Sequence, residues 1–369
     1  MNRLQRMSLS GFKSIRELRD LELKPLNVLI GANGAGKSNL ISFFKLLNFT
    51  MTNALKDYVA RAGYANSLLY QGSQQTKQIT ASLAFRTDGG TNTYDLTLSF
   101  QSSENSLIFT DETVTWHRDG FASPDRKALG VGVDKTLLND PAQRNDAKVR
   151  VVRGLLSSAR VHQFHDTSPT SPMRSKWRLD DNRYLFEHGG NLAPLLYYLR
   201  EQRRETYDVI VSTIRLGAPL FEDFSLEPDR LNPSVIDLRW REQGTVYELG
   251  AHQISDGSLR FMALVTLLSL PVDNLPGIII IDEPELGLHP AAIGILADLL
   301  KAASVSAQVI VSTQSVTLVN QMGADDIIVV DRDAGQSVFR PQDAEALSAW
   351  LEDYGIGELW EKNVLGGRP

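Results

Sequence analysis

Cysteine is absent from the 369 residues, which excludes disulfides, thiolate nucleophiles and cysteine-ligated metals and makes a reducing, cytoplasmic setting the expectation. An excess of basic charge is also missing. With 38 Lys and Arg against 44 Asp and Glu, the formal net charge is -6, so nucleic acid would have to be met by a local patch. Long hydrophobic runs are lacking as well. The most apolar stretches, Phe261 to Leu270 and Ile278 to Ile281, fall short of a spanning helix, and no direct membrane insertion is expected. Met1 to Leu9 is short and polar, which argues against a signal peptide. No heptad persists for three repeats, so a long coiled-coil arm is not expected. What remains is a chain with 42% hydrophobic and 22% charged residues, the balance of a folded enzyme or machine. Its length exceeds one ordinary domain, so two lobes, or one head with an insertion, are expected.

The first chemical signal lies near the start. Leu26 to Ile30 is an apolar run that stops at glycine, as a buried strand feeding a turn should. Gly31-Ala32-Asn33-Gly34-Ala35-Gly36-Lys37-Ser38 follows and fits G-x-x-x-x-G-K-[ST] in full. Small residues let successive backbone N–H groups curl around phosphate oxygens, Lys37 reaches the terminal phosphates, and Ser38 offers a hydroxyl to magnesium. Leu40, Phe43, Phe44 and Leu47 repeat at helical spacing over Asn39 to Asn48, which supplies the strand, loop and helix that the motif requires.

Asn53 to Lys77 has no clear period and reads as a polar loop. Ile79 to Arg86, Tyr94 to Phe100 and Leu107 to Trp116 then alternate as three strands of an antiparallel meander, with turns at Asp88-Gly89-Gly90 and Ser102 to Asn105. Phe121 to Asp140 reads as a loop or boundary. Between Arg144 and Arg178 eight basic residues (Arg144, Lys148, Arg150, Arg153, Arg160, Arg174, Lys176, Arg178) face only Asp146 and Asp166. This is either a surface for phosphate backbones or a set of cations paired with acids elsewhere. Asn191 to Leu199 and Tyr207 to Leu216 have helical spacing and fit one long helix or a helical hairpin. Val235 to Arg239 and Thr245 to Leu249 read as a strand hairpin.

The second half of the motif set comes late. Ile254-Ser255-Asp256-Gly257-Ser258 precedes the apolar helical run from Phe261, so a serine and backbone donors stand at a helix start, a natural anion site. Ile278 to Ile281 is a β-branched strand that delivers Asp282 and Glu283. Asp282 suits the hydration shell of magnesium, and Glu283 suits orientation of an attacking water. Leu286 to Pro290 turns into a helix over Ala292 to Ala302. Val309 to Thr313 and Ile327 to Val330 are further buried strands, the former ending in Thr313-Gln314-Ser315. Alternating strand and helix units imply a mostly parallel sheet with ligands at the carboxyl ends of its strands. Asp343 to Gly355 reads as a terminal helix, and Gly366-Gly367 as a loose end.

In this order the motifs resemble ATP-binding-cassette ATPases of the soluble branch, near the RecF and SMC heads and the small bacterial ATPases of the AAA type. The likeness covers residues 1 to 50 and 245 to 335 well and the middle poorly. It implies an α/β fold, an ABC-type P-loop NTPase head with a mostly parallel core sheet, an antiparallel N-terminal sheet and an inserted helical region. The lobes expected are 1–120, with the phosphate loop; 121–234, the mainly helical insertion; 235–340, with the signature and the acidic pair; and 341–369, a tail.

The same resemblance assigns roles. ATP and Mg2+ are the expected cofactors, with Lys13, Asn33, Gly34, Gly36, Lys37, Ser38 and Asn39 at the nucleotide, and Ser38 and Asp282 at the metal. Ser255 and Gly257 would bind the γ-phosphate held by the opposite subunit of a homodimer, Leu286 to Pro290 would cross that interface, and Glu283 and Gln314 would be catalytic. Gln71 is a candidate for the Q-loop glutamine. Gln314 stands where cassette ATPases carry a switch histidine, and an amide cannot carry a proton as imidazole does, so slow turnover is expected. The implied function is an ATP-dependent switch acting on DNA or RNA, or on a nuclease or other effector, in DNA repair or antiphage defence. A regulatory ATPase or effector-assembly scaffold that does not act on DNA is the alternative.

Overall fold

The computed structural model of the chain describes residues 2–131 and 134–368, so Gly132 and Val133 of the expected loop 121–140 lie outside the described residues. Two compact units form, residues 1–160 with 323–369, and residues 161–322. In the first, β1 (Arg3–Phe12) and β2 (Ile15–Glu22) make a hairpin around Lys13 and Ser14, with Lys13 at φ 49°. β3 (Leu26–Ile30) is buried at every residue and leads through Gly31 to α1 (Lys37–Met51), as the apolar run and the helical spacing require. The stretch read as an aperiodic loop holds α2 (Leu55–Arg61), α3 (Tyr64–Leu68) and α4 (Gly72–Gln75), each too short to display a helical period.

The expected meander is present as β4 (Gln78–Thr87), β5 (Gly90–Gln101) and β6 (Ser106–Arg118), extended by β7 (Asp125–Ala128) into an antiparallel sheet of order β2-β1-β4-β5-β6-β7. Alternate residues of β4 and β5, among them Leu83, Phe85, Tyr94 and Leu96, fill its inner face. Glu112 of β6 is fully buried there. Its carboxylate accepts hydrogen bonds from the Tyr94 hydroxyl at 2.7 Å, the Leu137 N–H at 2.8 Å and the Thr136 hydroxyl, which ties residues 136–137 to the sheet. Burial, reinforced by the neighbouring Glu112 charge, pushes the Tyr94 hydroxyl well above its usual pKa. α5 (Ala147–Ser157) follows, its N-terminus capped by the Asp146 carboxylate.

β8 (Ala159–His162) leads into the second unit. There β9 (Trp177–Arg178) precedes α6 (Leu192–Gln202) and α7 (Arg204–Gly217), a helical pair broken at Arg203, whose φ of -141° lies outside the helical range. β10 (Phe221–Ser225), β11 (Val235–Ile236), β12 (Arg239–Glu242) and β13 (Glu248–Gly250) come next. The hairpin expected over 235–249 is realised only between β12 and β13. Ile236 is fully buried opposite Trp177, which draws Val235 and Ile236 into a separate pair with β9.

α8 (Asp256–Leu268), β14 (Ile278–Asp282), α9 (Pro290–Ser306), β15 (Gln308–Ser312) and α10 (Val316–Val319) complete the unit. β14 and β15 are parallel, with Asp282 opposite Ser312, and every residue of both is buried. Each fully buried isoleucine stabilises the fold by roughly 1.5–3 kcal/mol, enough for this pair of strands to hold the acidic residues at its end in place.

The chain then returns to the first unit. β16 (Ile327–Asp333) runs parallel to β3 and antiparallel to β17 (Gln336–Pro341), giving a mixed sheet beside the antiparallel one. The single terminal helix expected over 343–355 is replaced by α11 (Ser348–Leu351) and α12 (Ile356–Glu361). Gly366 and Gly367 are held rather than loose. The indole of fully buried Trp360 donates to the Gly367 carbonyl at 2.6 Å, and the Gly367 N–H lies 3.3 Å from the Asp331 carboxylate. Among the described residues no helix is long and apolar enough to cross a membrane.

Candidate nucleotide-binding site

The motif residues divide between the two units. In the first, α1 starts at Lys37 with no side-chain cap and no acidic residue in its first turn, so the positive end of the dipole of a 15-residue helix lies at the loop without a neutralising side chain. Lys37 is buried, and its ammonium donates to the Gly31 carbonyl at 2.5 Å and the Ala32 carbonyl at 3.2 Å. Asn33, Gly34 and Ser38 are exposed along the same loop. Gly36 has φ 122°, and a Cβ there would stand 2.0 Å from the Ser337 hydroxyl, so the loop can turn here only without a side chain.

Asn39 and the β1–β2 turn brace this loop. The Asn39 amide donates to Ser14 Oγ at 2.6 Å, Ser14 and Ser337 hydroxyls lie 2.6 Å apart, and the Ser337 N–H donates to the Ser14 carbonyl at 2.8 Å. Lys13, in the β1–β2 turn, reaches α1, donating to Ser42 Oγ at 3.0 Å. Burial, and then the nearby Lys45, lower its pKa from the usual lysine value. Gln71 is engaged elsewhere, with its amide donating to the Tyr70 hydroxyl at 3.1 Å.

In the second unit the strand ends gather the acids. Asp282 accepts from the Ser312 hydroxyl at one carboxylate oxygen, and Gln163 Nε2 lies 3.4 Å from the other. His165 Nε2 is 2.8 Å from the Asp282 carbonyl oxygen, which can only accept, so the proton is on Nε2. Glu283 has left the strand at φ 45°, and its carboxylate accepts from the side-chain amide of Gln314. The structure therefore brings together the two residues read from sequence as catalytic. It also adds Gln163 and His165, which follow the short strand β8 and carried no sequence pattern of their own.

The serine-containing segment is built differently from a bare phosphate loop. Ser255 caps α8, accepting from the Ser258 N–H at 3.1 Å and donating to its hydroxyl at 2.8 Å. A Cβ on Gly257 would stand 2.2 Å from the Gly287 carbonyl, so this glycine lets α8 meet the Leu286-to-Pro290 turn backbone to backbone. Ser255, Gly257, Ser258, Phe261, Gly287 and His289 help to line a cavity of about 300 Å3. Two arginines set this segment. Arg260 donates to the carbonyls of Phe164 at 3.0 Å, His165 at 2.9 Å and Leu286 at 3.1 Å. Buried Arg174 donates to the Thr167 carbonyl at 2.9 Å, the Ile254 carbonyl at 3.1 Å, the Asp256 carboxylate at 2.8 Å and the Ala251 carbonyl.

Arg174 thus leaves the basic stretch that the sequence displays, and other members are paired as well. Lys148 meets Asp125 at 2.6 Å, Arg178 meets Asp180 at 2.7 Å, and Lys176 pairs with Asp229. Arg144, Arg150 and Arg153 are exposed.

A strand, phosphate loop and helix thus stand in one unit, and an acidic strand end and a serine-capped helix in the other. The chain belongs to the family described as "AAA domain, putative AbiEii toxin, Type IV TA system", whose profile matches residues 26–320. Solved structures agree on the fold. An Smc head bound to the C-winged helix domain of ScpA is 17% identical with a TM-score of 0.62, covering 94% of this chain and 99% of that one. An Smc head with an extended coiled coil, bound to the C-terminal domain of ScpA derived from Pyrococcus furiosus, is 16% identical with a TM-score of 0.62, covering 96% and 99%. No curated protein matches the chain.

Proposed function

We propose that the chain hydrolyses ATP with magnesium and uses the cycle to close and reopen a homodimer. The observation that carries the reading is the uncapped start of α1 with the Lys37 ammonium drawn over the carbonyls of Gly31 and Ala32, a loop whose donors suit a polyphosphate. Lys37 binds the terminal phosphates, and the backbone from Asn33 to Ser38 cradles the chain of phosphates. Ser38 and Asp282 are the residues that would hold hydrated magnesium, which would supply charge neutralisation on the phosphate oxygens. Gln163, whose Nε2 lies 3.4 Å from the Asp282 carboxylate, is a better-placed candidate for the Q-loop glutamine than Gln71. Glu283 orients the attacking water, with Gln314 holding its carboxylate. Ser255 and Gly257 of a second copy complete the γ-phosphate shell.

The partner acted upon is an effector protein or nucleic acid. The ion pairs of Lys148, Arg174, Lys176 and Arg178 weaken the case for a phosphate-backbone surface in this stretch and favour an effector-directed switch or assembly scaffold. Phosphate release from the purified chain tests the reading. Wild type with Mg-ATP turns over, and K37A falls to background because the terminal phosphates lose their cation. Equal turnover in both would remove the phosphate loop from the reaction.

A further inference from the structure

Glu285 is a half-buried residue whose carboxylate faces the end of β15. One oxygen, Oε1, accepts the Thr313 hydroxyl at 2.5 Å and the Gln314 backbone N–H at 3.0 Å. The other, Oε2, is buried with no hydrogen-bond partner among the described residues. Thr313 in turn accepts the Ser315 N–H at 3.0 Å. β15 ends at Ser312, so no strand ladder holds Thr313 and Gln314, while the Gln314 side chain has three rotatable bonds between backbone and amide. An amide on so long a lever stays at the Glu283 carboxylate only if its backbone is fastened.

We propose that Glu285 is a positioning residue for hydrolysis: by gripping Thr313 and the Gln314 N–H, it holds the Gln314 amide against Glu283. The proposal rests on the ATPase reading above. Stability does not account for a carboxylate here, because burying one with an oxygen left unpaired is unfavourable, and an apolar side chain of similar size would serve packing better. The environment agrees, since burial, with the Glu283 charge adding to it, raises the Glu285 carboxyl above the usual carboxylate range.

The test uses E285Q, E285A, Q314A and the E285A/Q314A double variant in the full chain, with folding checked by thermal melting. E285Q keeps an acceptor at Oε1, so its kcat should stay within about threefold of wild type. E285A should lose about tenfold or more in kcat with ATP affinity unchanged, the size expected when a reacting group is misplaced by a fraction of an ångström. The double variant should be no slower than Q314A alone, because both changes break one linkage. Hydrogen exchange provides a readout independent of turnover: the Gln314 N–H should lose protection in E285A and keep it in E285Q. Wild-type kcat in E285A, an E285Q as slow as E285A, or multiplied losses in the double variant would overturn the proposal. A wild type that does not hydrolyse ATP would sink the ATPase reading itself. Exchange at Gln314 would still decide the grip, and unchanged protection in E285A would overturn that as well.

Discussion

Gln314 donates its side-chain amide to the carboxylate of Glu283, so the two residues proposed to serve hydrolysis are in direct contact. The amide fixes the carboxylate without offering a titrating group of its own. Turnover in this arrangement should be slow and should depend on the charge of Glu283 more than on a proton carried by residue 314.

E283Q should therefore bind ATP as tightly as wild type and hydrolyse it at least about 100-fold more slowly, the range over which a general base contributes. The amide keeps the size of the side chain and loses the anionic acceptor. Single-turnover phosphate release with matched binding titrations checks this, and equal rates would take Glu283 out of the reaction.

S255R should leave ATP binding to the single chain intact and abolish turnover, because a bulky cation at the cap of α8 would obstruct the face proposed to meet a second copy. Mixing S255R with K37A should restore part of the activity that neither variant has alone. A mixed dimer contains one site built wholly from intact contributors. A mixture as inactive as its components would argue against sites shared between chains, or for strict coupling of the two.

R174A should destabilise the second unit and loosen the segment ahead of α8. The carbonyls of Thr167, Ile254 and Ala251 lose their donor together, and each buried acceptor left unmade costs about 1–3 kcal/mol. Urea unfolding should show a lower midpoint, while a variant of exposed Arg150 in the same basic stretch should match wild type. Equal midpoints for R174A and wild type would deny Arg174 its structural role.

E112A should lower the stability of the first unit by roughly 3 kcal/mol, since a fully buried Tyr94 hydroxyl, the Thr136 hydroxyl and the Leu137 N–H lose a charged acceptor at once. Thermal melting checks it, with E112Q expected to recover part of the loss.

The parts of the site that were legible in sequence are those in which local chemistry dictates geometry. Leu26 to Ile30 is a strand because it is apolar and ends at glycine, and the loop after it needs its glycines for backbone reasons that no partner alters. Ile278 to Asp282 announces itself in the same way. The parts that were not legible depend on tertiary contact. Gln163 and His165 reach Asp282 from 119 and 117 positions away, and nothing in their neighbours forecasts it. Arg174 reads as one more surface cation until its carbonyl partners are seen. The end at Gly366-Gly367 reads as loose because glycine hides what Trp360 fastens.

Light scattering on E283Q is the most direct measurement of the account. With saturating Mg-ATP, and with ATP binding verified in the same sample, the chain should run at twice its monomer mass at micromolar concentration, because closure survives while the slow step that reopens it is blocked. K37A should remain at the monomer mass under the same conditions. An E283Q protein that binds ATP and stays monomeric throughout would contradict the claim that nucleotide closes two copies around shared sites.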